Sequence, residues 1–136
     1  MKAAVITRHG ISNYGSLLQA MATQQVIEDL GHTCEIIDYI RNDESYMQHE
    51  KTLLKRKPEW NDNPVKRMMY LAVRQPAGIA AGKCFEKARR KYLQLSKRYT
   101  AREQLVREKP EADVYITGSD QVWGPVENGS YDSTPA

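Results

Sequence analysis

The first forty residues constrain the fold most, because they place a strand, an amphipathic helix and a second strand in close succession. Lys2 to Thr7 is short, apolar and rich in β-formers, as expected of a strand covered on both faces. From Ser16 to Leu30 the positions Leu18, Ala22, Val26 and Leu30 recur at spacing four, with Leu17, Met21 and Ile27 beside them, which predicts the inward face of a helix. Gly31 stands where a helix commonly stops in the left-handed region, and Thr33 to Tyr39 supplies the second strand. Strands joined through one helix in this way run parallel, so the fold class is α/β: a Rossmann-like parallel sheet with flanking helices.

Further along, 41–63 has no sustained period and is expected to be a mobile insertion, with a short helix around Lys51 to Lys57. Asn63-Pro64 reads as a cap followed by a first-turn proline, and Val65, Met68, Met69 and Ala72 give a helical face expected to end before Pro76. A third helix is predicted from about Ala80 to Leu95, with Ala81, Phe85, Ala88, Tyr92 and Leu95 inward and Lys83, Lys87 and Lys91 together on another side. Thr100 and Glu103 have capping-box spacing for a short helix to about Glu108, and Asp113 to Thr117 is a third strand.

A length of 136 residues suits one domain or part of one. Its net charge of +3 hides an asymmetry: between Lys51 and Arg107 there are sixteen bases and four acids (Glu59, Asp62, Glu86, Glu103), and the rest of the chain is correspondingly acidic. Lys83, Lys87, Arg90 and Lys91 could meet a membrane surface or an anionic polymer, or simply be the solvated side of a helix. No helix-turn-helix, RNP-like strand or zinc finger accompanies the charge, so no nucleic-acid partner is expected. Cys34 and Cys84 lack any CxxC spacing, which reads as reduced thiols in a cytoplasmic protein, and no metal site is predicted. No signal peptide and no transmembrane run is visible, which leaves at most peripheral membrane contact.

Two turns could carry a site. The loop Arg8 to Gly15 leaves a strand and opens a helix, where backbone NH groups and the helix dipole favour an anion and Gly10 and Gly15 allow close approach of main chain. Equally, Ser12 or Asn13 could cap the helix while Tyr14 packs on the sheet. Gly118 to Trp123 follows the third strand, at the sheet edge where α/β proteins bind ligands. Gly118 permits an unusual backbone angle, Ser119 and Asp120 can hydrogen-bond sugar hydroxyls, and Trp123 can stack on a sugar ring. The alternative there is a turn held by Asp120 with Trp123 plugging the sheet end. Without a partnered histidine or a second carboxylate, neither turn makes a catalytic set. His9 is expected near Asp120 if their strands are neighbours, whereas His32 and His49 read as surface residues.

Taken together, the turns resemble the amino-terminal part of the polysaccharide pyruvyl transferase family. The matching segments are Asn13 to Ala20, Gly31-His32 with Glu35 to Tyr39, Phe85 through Tyr92 to Ser96, and Gly118-Ser119-Asp120-Gln121-Val122-Trp123. Departures are Gly124, where asparagine is usual, and Met21, where an aromatic is frequent. The resemblance implies the truncated amino-terminal half of a glycosyltransferase-B-like, two-domain fold with its active site between the halves. It implies transfer of a pyruvyl group from phosphoenolpyruvate, a co-substrate rather than a bound cofactor, to a sugar hydroxyl of a surface or exopolysaccharide glycan or a lipid-linked sugar acceptor.

By that resemblance Asn13, Tyr14, Gly15 and Gln19 form one side of the site and Gly118, Ser119, Asp120, Gln121 and Trp123 the other. Catalytic residues are expected in the other half, so this chain would be inactive alone. The loop-like end from Gly129 to Ala136 and a small sheet fit a fragment, with self-association possible through an open sheet edge. The alternative function is a non-catalytic sugar- or nucleotide-binding module on the same fold.

Overall fold

The structure, a computed structural model, describes residues 1–42 and 44–118, apart from the side chains of His49 and Thr52. In chain order it contains β1 (Lys2–Ile6), α1 (Tyr14–Asp29), β2 (Thr33–Ile36), α2 (Tyr46–Lys55), α3 (Pro58–Asn61), α4 (Pro64–Tyr92), α5 (Arg102–Arg107) and β3 (Val114–Thr117). The strands form one parallel sheet in the order β2-β1-β3, with Ala3 opposite Cys34 on one side and Val114 on the other.

Alternation along the central strand builds two cores. Ala3 and Val5 pack with Leu17, Ala20 and Ile27 of α1 and with Phe85 and Ala88 of α4. Ala4 lies in the opposite cluster with Ile37, Tyr99 and Leu105 of α5. Helices therefore cover both faces of the sheet, which is why β1 tolerates no polar position between Ala3 and Val5. Past β2 the chain at 94–99 runs beside 36–40: Ile36 N–H donates to the Gln94 carbonyl at 2.7 Å and Ile40 N–H to the Tyr99 carbonyl at 2.9 Å. That return covers the outer side of β2, while β3 occupies the other edge.

The sequence expectations hold for β1, β3 and α1, but β2 ends at Ile36 rather than Tyr39 and the inward face of α1 differs. Leu17, Ala20, Gln24 and Ile27 are buried, whereas Leu18, Val26 and Leu30 are exposed. Two apolar rows lie side by side on α1, and the true one contains a glutamine. Gln24 faces inward because its Oε1 accepts from Gln94 N–H at 2.8 Å, and small Ala20 lets the helix lie close to the sheet. The helix ends as expected at Gly31, whose φ is 80°; Gly31 N–H reaches the Glu28 carbonyl and His32 N–H that of Ile27.

Pro76 does not end a helix: α4 runs unbroken from Pro64 to Tyr92. An interior proline costs about 3 kcal/mol, and α2 holds both sides of it in line. Before Pro76, Tyr70 OH donates to Glu50 Oε2 at 3.3 Å; after it, buried Gly82 lies against Tyr46. A Cβ at Gly82 would fall 2.7 Å from Tyr46 Cδ2 and nearer still to its Cβ and Cγ. Phe85 and Ala88 of α4 face inward as expected and Leu95 also packs on the core, though past the helix end, whereas Ala81 and Tyr92 are exposed. The described residues of 41–63 hold two helices rather than the one expected: α2 starts earlier, at Tyr46, α3 follows it at Pro58, and both pack on α4. At α5 the cap is shifted by one residue. Gln104 rather than Glu103 reaches back, its Oε1 accepting from Thr100 N–H at 3.1 Å, and Ala101 is the N-cap.

Candidate functional site

Parallel pairing brings the carboxyl ends of β1 and β3 together, so the turn that opens α1 and the start of the turn after β3 share one edge. Gly118 N–H donates to the Ile6 carbonyl at 2.9 Å, extending the ladder by one residue. Gln19 Nε2 then donates to the Gly118 carbonyl at 3.1 Å, which ties two positions 99 residues apart. Two of the residues that the sequence assigned to opposite sides of a site are thus in direct contact.

Asn13 resolves the first ambiguity toward the cap. Its Oδ1 accepts from Gly15 N–H at 2.7 Å and Ser16 N–H at 3.4 Å, and it occupies the N-cap position of α1. Those bonds engage two of the NH groups a ligand anion would need. Tyr14 is exposed and does not pack on the sheet; its ring lies 4.8 Å from that of Phe85 on α4. Gly118 needs no unusual backbone angle, since Gly31 is the one positive-φ residue among those described. The remaining candidates, Ser119, Asp120, Gln121 and Trp123, lie outside the described residues, as do Gly124 and the segment from Gly129 to Ala136.

His9 has partners other than Asp120, which also lies outside the described residues. Its ring is fully buried, with Nδ1 3.0 Å from the Thr7 carbonyl and Nε2 3.2 Å from Asp38 Oδ1. Both ring nitrogens thus face oxygen atoms. Asp38 Oδ2 accepts from Arg98 Nε at 2.9 Å, and Arg98 reaches Glu86 Oε1 at 2.8 Å. Glu86 also binds Arg89 and Arg90. Arg89, itself buried, turns back to donate to the Gly10 carbonyl at 2.9 Å and that of His9 at 3.3 Å.

This network clamps the first turn from below. A Cβ at Gly10 would come 2.8 Å from Ile40 Cγ1, so the close approach Gly10 allows is to Ile40. Burial would raise the carboxyls of Asp38 and Glu86, but hydrogen bonds and charge from His9 and Arg98, and from Arg89 and Arg98, hold both below the usual carboxylate range. Sequence inspection missed the network. Its signals were Arg89, one residue from inward Ala88, and Glu86, a lone acid among the bases of α4. Cys34 is buried in the core, and burial pushes its thiol up, whereas Cys84 is exposed; both are free. His32 is half-buried, and the side chain of His49 lies outside those described.

Among the described residues no group of three or more His, Cys, Asp or Glu is placed to hold a metal ion, and no helix is long and apolar enough to cross a membrane. The profile of the family described as Polysaccharide pyruvyl transferase matches residues 13–135, which takes in Asn13 to Gln19 and the turn from Gly118 to Trp123. No curated protein and no solved structure matches the chain.

Proposed function

Because the chain belongs to the polysaccharide pyruvyl transferase family, we propose that it forms the acceptor-glycan side of a cytoplasmic transferase that moves a pyruvyl group from phosphoenolpyruvate to sugar hydroxyls. In this reading two sugar hydroxyl oxygens bond to C2 of the enolpyruvyl group and the C2–O bond to phosphate breaks; one hydroxyl proton goes to C3, which becomes methyl, and the other leaves with phosphate. The chain supplies the amino-terminal half of a glycosyltransferase-B-like cleft, and the groups that hold phosphoenolpyruvate lie on a second half. The Gln19–Gly118 hydrogen bond carries the reading, because it joins the two family-matched turns at the ligand-binding edge of a parallel sheet. Arg89 and Arg98 point the same way: both are paired with Glu86, and Arg98 also with Asp38, rather than offered to a phosphate.

Titration of the isotope-labelled chain with a panel of hexosides, followed by amide NMR shifts, tests this. Shifts should concentrate at Asn13 to Gln19 and at Gly118, and Gln19→Ala should weaken binding about five-fold, the worth of one net hydrogen bond. Shifts scattered elsewhere, or none for any sugar, would refute it. Binding of this pattern with no phosphoenolpyruvate turnover in any enzyme containing the chain would favour the non-catalytic binding module instead.

A further inference from the structure

Helix α4 carries a face that the transfer chemistry does not use. Val65, Met69, Ala72, Pro76, Ala80, Lys83, Lys87 and Arg90 follow one another at steps of four and three, so they form a single row along the helix. All eight are exposed, and the bulky members of the first half are well out in solvent: Val65 at 63% and Met69 at 60%, with Val73 beside them at 74%. The row is apolar over its first half and basic over its second. At about 1.5 Å per residue it extends roughly 40 Å. Its one acid on α4, Glu86, pairs with Arg89 and Arg98 and also with Arg90 Nε at 2.9 Å, the Arg90 side chain itself staying 63% exposed. A shallow groove lined by Leu71, Ala72, Pro76, Ile79 and Lys83 lies on the same helix.

We propose that this row of α4 seats the protein on an anionic lipid surface, with Val65, Met69 and Val73 entering the headgroup boundary and Lys83, Lys87 and Arg90 on the lipid phosphates. Charge complementarity selects that occupant. An anionic bilayer uses both halves of the row at once, as amphipathic interfacial helices do. A second copy would cover the apolar half only and would bring a second strongly basic segment beside the first. Free polyanions would use the basic half only, leaving the apolar half in water. The proposal does not depend on the transfer reaction and concerns binding alone.

Co-sedimentation of the full chain with vesicles of phosphatidylcholine alone, and of phosphatidylcholine mixed with phosphatidylglycerol, tests it. The chain should pellet with the mixed vesicles and not with the neutral ones, and binding should weaken as salt shortens the screening length. The triple variant K83Q/K87Q/R90Q should lose binding on the order of a hundred-fold, about five-fold for each charge. Met69→Gln with Val73→Gln should also release the chain from mixed vesicles while leaving heparin binding unchanged. All these side chains are exposed, and circular dichroism confirms that each variant keeps its helices. No binding to mixed vesicles overturns the proposal. So does vesicle binding insensitive to the Met69 and Val73 changes, which would mark a polyanion site, and so does association into dimers that those changes abolish without any vesicle binding.

Discussion

Asp38 accepts from His9 on one oxygen and Arg98 on the other, and Glu86 gathers three arginines, so the first turn rests on charges that acid removes. Both carboxyls titrate below their usual range. Hence the unfolded chain binds protons first as pH falls, and the stabilisation they give is complete above about pH 4–5 and lost as pH drops through their lower values. Denaturant unfolding followed across pH should show this acid loss, and Asp38→Asn should flatten it while costing about 3–5 kcal/mol at neutral pH. An unchanged acid slope in the variant would show that the network does not carry the stability. Little of this was readable beforehand. Asn13 as a cap was legible because capping depends on neighbours two and three residues away. The His9–Asp38–Arg98 contacts join residues 29 and 60 positions apart, and no local spacing encodes them.

Elements were legible where one period had one interpretation. The strands came from short β-rich runs, and Gly31 ended α1 because a left-handed residue was needed there. The face of α1 was misread because two apolar rows compete and hydrogen bonds from Gln19 and Gln24 choose between them. The break at Pro76 was misread because α2 supports α4 on both sides of the proline, a tertiary effect that outweighs about 3 kcal/mol of local cost. Gly82 measures that support. Alanine is favoured over glycine in a helix by about 1 kcal/mol, yet Gly82→Ala should lower the thermal midpoint, with a net loss of about 1–3 kcal/mol from overpacking against Tyr46. A raised midpoint would mean that α2 and α4 are not this close.

At the scale of the molecule, the α/β class and the family were both legible, the first from strand and helix order, the second from four ordered segments, which the match over 13–135 bears out. The site was legible as two turns but not as a contact, since only the parallel order β2-β1-β3 sets Gly118 beside α1. The central claim is that these turns receive the sugar acceptor of a pyruvyl transfer. Phosphate release from phosphoenolpyruvate by an enzyme containing this chain, measured with and without a glycan acceptor and with Gln19→Ala, tests it most directly. Release should require the glycan, with the Gln19 variant raising the KM for glycan about five-fold and leaving that for phosphoenolpyruvate unchanged. Release that ignores the glycan, or a variant that alters only the phosphoenolpyruvate KM, would contradict it.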